Sequence, residues 1–337
     1  MSGFQGQDNE ICTIIKSYNF TNDYSPVLLV HVRPETNAIE YESPIAEVFY
    51  QYDLPIAYLS NLNGRLFIYN ALVLDHYYTR FQFATYAKLE MQKYPIMIKK
   101  FERHFGEKFD NSHIIGSFDA QIEFNMNANE LYNIIVSAKD MLNLYGQVIK
   151  RISYENKTHY IVNCNLPAIF NKYTPNANIF VIAVNFHENV INFQEIKNAI
   201  MSKYYEKKKV LLTEKEQIMG LTLENKLKRM LHISNNHLTS MFDMIDYIYL
   251  TLDGNTGKVT DFNQIKQISF ELTPLGKYLI DHGISDIQLN IIKKNRVVYL
   301  KNKHLIYLPH AAQGKSMEQI LQLIKDIDWQ IYENQES

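Results

Sequence analysis

Cysteine is scarce in this chain, with only two in 337 residues. Cys12 and Cys164 are far apart, and neither belongs to a CxxC or Cys/His pattern. The sequence therefore predicts neither a disulfide framework nor a structural zinc site with cysteine ligands. We expect both residues to be ordinary, partly buried thiols.

Long apolar runs are also lacking. Candidates such as residues 45–50 fall far short of the roughly 18 residues that a membrane-spanning helix needs. The first ten residues are polar and have neither the basic start nor the apolar middle of a secretory signal. We therefore expect a cytoplasmic protein without a membrane-spanning helix.

The chain has no excess of charge of one sign, because its formal net charge is −2. This value gives no general attraction to nucleic acid or to anionic membranes. Arginine is rare, with seven arginines against 27 lysines, and Tyr and Phe are frequent. Such a composition is typical of AT-rich codons, so basic and aromatic residues are weaker evidence for nucleic-acid binding than usual.

The motifs of common enzyme classes are missing. Residues 253–259 resemble a phosphate-binding loop, but Leu252 stands where that loop needs glycine and Val259 where it needs Ser or Thr. The same segment fails as a calcium loop because Lys258 and Gln264 occupy key positions. No GxSxG, GxGxxG or HExxH string occurs. The sequence therefore predicts no catalytic residue, no metal and no cofactor.

Average apolar and charged fractions, with this length, predict a folded protein of about two domains. Strand-like and helix-like segments are interspersed, which predicts the α+β class. We predict a mixed-sheet domain with packed helices over residues 1–209. A smaller helical domain over residues 210–337 is expected to end in a three-stranded β-meander and a C-terminal helix. Strand order and oligomeric state stay open.

Several local patterns support this division. Asn63-Gly64 lies between two apolar runs and predicts a β-hairpin. Helical spacing predicts helices over residues 71–93 and 95–105. Three short runs, at 287–292, 297–300 and 304–308, predict the meander.

One candidate site lies on the two helices predicted in the first half. His76 and Arg80 are four residues apart, and Lys99 and Arg103 repeat that spacing, with His104 beside them. If the two stripes face each other, they could hold a phosphate or carboxylate through charged hydrogen bonds. The alternative is that both are solvated helix faces.

A second basic group lies in and around the predicted meander, with Tyr299 and Tyr307 interleaved. Its candidate nucleic-acid-binding residues are Lys293, Lys294, Arg296, Lys301 and Lys303. Together with predicted helices at 222–232 and 273–282 and the string at 270–276, this segment resembles a winged-helix module in outline. The resemblance implies contacts between the basic wing and a nucleic-acid backbone. The alternative is that lysine-rich turns protect sheet edges from aggregation.

Two acids, Asp243 and Asp246, lie three apart on a predicted helix, where we expect them to face water rather than to bind a metal. Because no catalytic spacing is visible, the leading hypothesis is a non-enzymatic adaptor or regulatory protein that binds another protein. The alternatives are a nucleic-acid-binding regulator that uses the C-terminal basic residues, and a small anionic-ligand sensor or enzyme built around His76, Arg80 and Arg103.

Overall fold

The computed structural model describes residues 10–20, 24–34, 39–136, 140–208 and 230–333, together with residues 214 and 217. These residues form helices and mixed sheets, so the predicted α+β class is confirmed. None of the helices among them is long and apolar enough to cross a bilayer.

The strands are β1 (Cys12–Lys16), β2 (Val27–Val32), β3 (Ile56–Asn63), β4 (Ile114–Gly116), β5 (Met141–Leu144), β6 (Gln147–Tyr154), β7 (Lys157–Val162), β8 (Asn178–Asn185), β9 (Leu231–Ile233), β10 (Tyr249–Thr251), β11 (Gly257–Val259), β12 (Ile265–Gln267), β13 (Val297–Tyr299) and β14 (Leu305–Tyr307). The helices are α1 (Ile39–Gln51), α2 (Gly64–Tyr69), α3 (Leu72–His76), α4 (Tyr78–Thr85), α5 (Ala87–Gln92), α6 (Pro95–Phe105), α7 (Ser117–Glu123), α8 (Ala128–Val136), α9 (Leu166–Phe170), α10 (Phe193–Lys208), α11 (His237–Tyr247), α12 (Pro274–Asp281), α13 (Asp286–Lys294), α14 (Leu308–Ala311), α15 (Met317–Lys325) and α16 (Gln330–Glu333).

The largest sheet has six antiparallel strands in the order β11-β1-β3-β8-β2-β9. Both of its faces are covered, which is why every residue of β2 is buried. Because side chains alternate along a strand, Leu28 and Val30 enter one core while Val27 and Leu29 enter the other. Helices α1 and α10 cover the first face, and α11 with the C-terminal helices covers the second.

The six-stranded sheet crosses the predicted domain boundary. Strands β9 and β11 follow residue 209, yet they pair with β2 and β1 from the first segment. Apolar residues from both segments also belong to one continuous core on the α11 face. In the described residues, position 209 therefore does not separate two cores.

A second sheet has the order β4-β7-β6-β5, with β4 and β7 parallel and the other pairs antiparallel. Helix α6 packs its apolar face on this sheet through Met97, Phe101 and Phe105. Two further antiparallel ribbons, β10-β12 and β13-β14, complete the strand pairings.

Two local predictions are wrong. The hairpin predicted at Asn63-Gly64 is absent, because β3 runs to Asn63 and the Asn63 side chain then caps α2 by accepting a hydrogen bond from Arg65 N. The first strand of the predicted meander is helix α13, which begins with a reciprocal capping box between Ser285 and Gln288. Only β13 and β14 remain of that meander.

The winged-helix outline stays a prediction. Helix α12 forms where the second helix of the module was expected, capped by Thr273. Most of the predicted helix 222–232 lies outside the described residues, and its last two residues, 231 and 232, belong to strand β9.

Candidate functional site

A pocket of about 350 Å³ lies beside strand β9, which is an edge strand of the six-stranded sheet and pairs with β2. Its polar lining consists of Arg33, His76, Tyr77, Arg80, Lys197, His232, Asn235, Thr239, Arg296, Tyr307, His310 and Gln313. This volume is within the range of small-molecule sites. The lining includes four permanently cationic side chains and no carboxylate.

The sheet register explains why histidines meet behind this pocket. His31 on β2 and His232 on β9 are direct partners in the antiparallel pair. Leu231 and Ile233, which flank His232, enter the α1 and α10 core, so His232 projects from the opposite face toward helix α11. His31 is buried beneath it, where burial and the nearby charges of His232, Arg33 and His76 hold its pKa well below the ordinary value.

Asp243 of helix α11 lies within hydrogen-bonding distance of His232. His232 Nε2 lies 2.8 Å from Asp243 Oδ1, and the hydroxyl of Ser234 donates to Asp243 Oδ2 at 2.7 Å. Ser234 Oγ also accepts a hydrogen bond from Leu29 N at 3.3 Å. These bonds fix the carboxylate orientation, with Oδ1 directed toward the imidazoles.

A second imidazole is held by Asp246, one helical turn further along α11. His76 Nδ1 lies 2.8 Å from Asp246 Oδ2, and Lys293 Nζ lies 2.6 Å from Asp246 Oδ1. Burial raises the pKa of Asp246, but the charge of Lys293 and the contacts with His76 outweigh it, so the net pKa is lowered. Burial likewise lowers the pKa of His76, and Asp246 only partly offsets this. The ionised carboxylate can only accept, so Nδ1 of His76 carries the proton.

The expectation that Asp243 and Asp246 face water is wrong. Their exposed fractions are 1% and 0%. Helix α11 is buried around almost its whole circumference, so that spacing along the chain could not identify a solvated face. Asp243 instead pairs with His232, and Asp246 pairs with His76 and Lys293.

Three arginines approach the pocket from separate elements. Arg33 follows β2 and donates from Nη2 to the Tyr77 hydroxyl at 3.2 Å. Arg80 on α4 donates to Asn165 Oδ1 at 3.1 Å. Arg296 precedes β13, and its guanidinium lies 5.0 Å from the centre of the Phe242 ring. Within the described residues, no carboxylate forms an ion pair with Arg80 or Arg296.

The five residues of the predicted anion site do not converge. His76 and Arg80 line the pocket. Lys99, Arg103 and His104 lie on the exposed side of α6 and are not part of its lining, and His104 Nε2 contacts Asp140 at 3.4 Å. Spacing on α6 identified a surface stripe, because the apolar side of that helix faces the second sheet.

The predicted nucleic-acid residues are also divided. Lys293 is directed inward to Asp246, and Arg296 lines the pocket. Lys294, Lys301 and Lys303 are exposed. Lys303 Nζ lies 2.6 Å from Asp328 Oδ2, and Lys301 Nζ donates to the carbonyl of Lys325 at 2.7 Å.

A second acid and imidazole cluster lies on the other sheet. His113, Glu123 and His159 place their polar atoms within 4.8 Å of one another. His113 and Glu123 are exposed. This group is more open than the one beside β9.

The chain matches no protein-family model, and neither the curated proteins nor the solved structures include one that is significantly similar to it.

Proposed function

We propose that the protein binds a small anionic molecule, such as a phosphate-bearing metabolite, in the pocket beside β9. The observation that carries this proposal is the charge of the lining, in which Arg80 and Arg296 have no carboxylate partner among the described residues. Guanidinium groups bind phosphate and carboxylate through paired, charge-assisted hydrogen bonds. An anion would neutralise the charges of Arg80 and Arg296, which have no carboxylate partner in the part of the chain that the structure describes.

The composition of the chain adds support. Three of its seven arginines, Arg33, Arg80 and Arg296, line this one pocket, although lysine is almost four times as frequent overall. Lysine suffices for a solvated surface, whereas the planar arginine fork is preferred for oxyanion recognition. The pairing of His76 and His232 with carboxylates also places groups suited to proton transfer at the same wall.

Isothermal titration with inorganic phosphate, and with a nucleoside monophosphate as a larger probe, tests the proposal. Arg80→Ala and Arg296→Ala should each weaken binding by about tenfold or more, because a hydrogen bond to a charged group contributes roughly 1.5–3 kcal/mol. Arg296→Lys keeps the charge and should still weaken binding, since the fork is lost. Arg103→Ala is the matched control, because Arg103 is exposed and outside the lining.

Equal affinity of the wild type and of the Arg80 and Arg296 variants for both probes would contradict the proposal. So would the absence of any measurable binding by the folded wild-type protein at millimolar phosphate.

The adaptor and nucleic-acid hypotheses stay predictions. The first depended on the lack of a cluster of acids and imidazoles, and the ligand atoms of His76, His232 and Asp243 lie within 4.8 Å of one another. The second depended on five basic residues acting as a surface, and Lys293 and Arg296 are turned toward the pocket region instead. A salt-dependent gel shift that disappears in a Lys301→Glu, Lys303→Glu variant would favour nucleic-acid binding.

A further inference from the structure

We propose that His76, His232 and Asp243 form a binding site for one divalent transition-metal ion, of the zinc type, whose open coordination position faces the anion pocket. The claim about the open position rests on the proposed function, whereas the claim about the three ligands does not.

The three donor atoms are already close together. His76 Nε2 lies 3.7 Å and His232 Nε2 2.8 Å from Asp243 Oδ1, and the three ligand atoms all lie within 4.8 Å of one another. Zinc binds imidazole nitrogen and carboxylate oxygen at about 2.0–2.2 Å, so two ligands of one ion are roughly 3–4 Å apart. Side-chain movements of up to about 1 Å would complete this geometry.

The tautomer of His76 is the strongest support. Its Nδ1 donates to Asp246, so a neutral ring directs the lone pair of Nε2 toward Asp243 Oδ1. Within the described residues Nε2 makes no hydrogen bond. A metal ion between Nε2 and Oδ1 would be bound by both atoms.

The surrounding hydrogen bonds match those of metal sites. A metal-bound histidine usually donates its other nitrogen to a carboxylate, as His76 does to Asp246. The ligating carboxylate is itself oriented, here by the Ser234 hydroxyl on Oδ2. Asp243 and Asp246 bring two negative charges to the ion, of which Lys293 offsets one.

The ligands come from three elements, α3, β9 and α11, and both histidines also line the pocket. Three protein ligands with a fourth position open to a cavity are typical of a reactive rather than a structural zinc site. At that position the ion would bind water or an oxygen of the anion held by Arg80 and Arg296. An anion bound to the metal would also offset the repulsion between the metal ion and the cationic side chains of the pocket.

Metal analysis of the full-length protein tests the site. After removal of metal with EDTA, the wild type should bind one equivalent of Zn²⁺, and Co²⁺ should give the visible absorbance of a bound ion. His232→Gln should weaken Zn²⁺ binding by at least a hundredfold, and Asp246→Asn by about ten- to a hundredfold as a positioning residue. Because His76 is buried, His232→Gln, at a side chain that is 20% exposed, is the variant that should still fold.

His113→Gln is the matched control, because it removes a histidine from the other cluster. The proposal would be overturned by an unchanged Zn²⁺ affinity in folded His232→Gln, or by loss of the ion in His113→Gln alone. A wild type that binds no stoichiometric metal would also overturn it. Arg80→Ala should keep the ion and lose phosphate. In the wild type, metal binding without phosphate binding would contradict only the proposed function, and phosphate binding without metal binding would contradict only the metal site.

Discussion

Lys293 Nζ lies 2.6 Å from Asp246 Oδ1, and both residues are largely or fully buried. The pair joins helix α13 to helix α11, which carries both carboxylates of the candidate site. Removing one member of a buried pair leaves an uncompensated charge, which typically costs about 3–5 kcal/mol.

We therefore expect Asp246→Asn to lower the free energy of unfolding by several kcal/mol, measured by urea denaturation of the metal-free protein. The double variant Asp246→Asn, Lys293→Met should recover much of this loss, because the stranded ammonium is removed. Lys303→Met breaks a pair in which Lys303 is 76% exposed and should cost at most about 1 kcal/mol. An equal loss of unfolding free energy in the single and double variants would mean that the stranded charge of Lys293 is not the cause of the destabilisation.

Cys12 should be unreactive in the native protein. Burial and, to a smaller degree, the charge of Glu10 raise the pKa of the Cys12 thiol to about 12. The thiolate is the reactive species, so at pH 8 roughly one molecule in ten thousand would carry it. Burial also raises the pKa of Cys164.

A thiol reagent such as dithionitrobenzoate should therefore modify neither cysteine in minutes at pH 8, and both after unfolding in guanidinium. Above pH 9.0, the ordinary pKa of a cysteine thiol, the unfolded chain loses the thiol protons that the native protein keeps. The free energy of unfolding should therefore fall as the pH rises above this value. A Cys12→Ser variant should show less of this fall. Fast modification of two thiols in the folded protein would contradict the burial of these residues.

The sequence could predict the fold class and part of the site. His76 and Arg80, which helical spacing grouped on one predicted helix, both line the pocket, although they lie on the separate helices α3 and α4. The same spacing at Lys99 and Arg103 gave a solvated stripe, because spacing identifies a helix face but not what it faces. The small number of arginines is a further signal in the sequence, since three of the seven line this pocket. That they meet there depends on the tertiary structure and is not visible in the sequence.

Asp243 and His232 could not be predicted as partners. They lie eleven residues apart, on a helix and on a three-residue strand at a sheet edge. The position of β9 depends on pairing with β2, about 200 residues earlier in the chain. Such long-range pairing leaves little trace in local periodicity, which is why the segment was expected to be helical.

The same pairing makes a prediction about fragments. A fragment of residues 1–209 lacks β9 and β11, and thus both outer strands of the six-stranded sheet. It also lacks α11, whose Leu238, Met241 and Phe242 cover the sheet face that carries Leu29. We expect this fragment to be unfolded or aggregated, as judged by proton NMR dispersion and the absence of a cooperative urea transition. A cooperative, well-dispersed fragment would instead support the two-domain division predicted at residue 209.

Gly64 provides a test of the junction between β3 and α2. Its amide donates to the carbonyl of Ala177 at 2.7 Å, and a Cβ atom there would lie 1.8 Å from the carbonyl oxygen of Thr174. Since that neighbour is backbone, it can move only by displacing the segment that leads into β8.

Gly64→Ala should therefore destabilise the protein by about 1–3 kcal/mol or more, the usual cost of overpacking, in urea denaturation. Gly254→Ala is the control, because a Cβ there meets nothing within 4 Å and only its φ of +75° disfavours alanine. Gly64→Ser should be at least as damaging as Gly64→Ala if space is limiting. Alanine at position 64 with wild-type stability would mean that the β3 to α2 junction is looser than these contacts require.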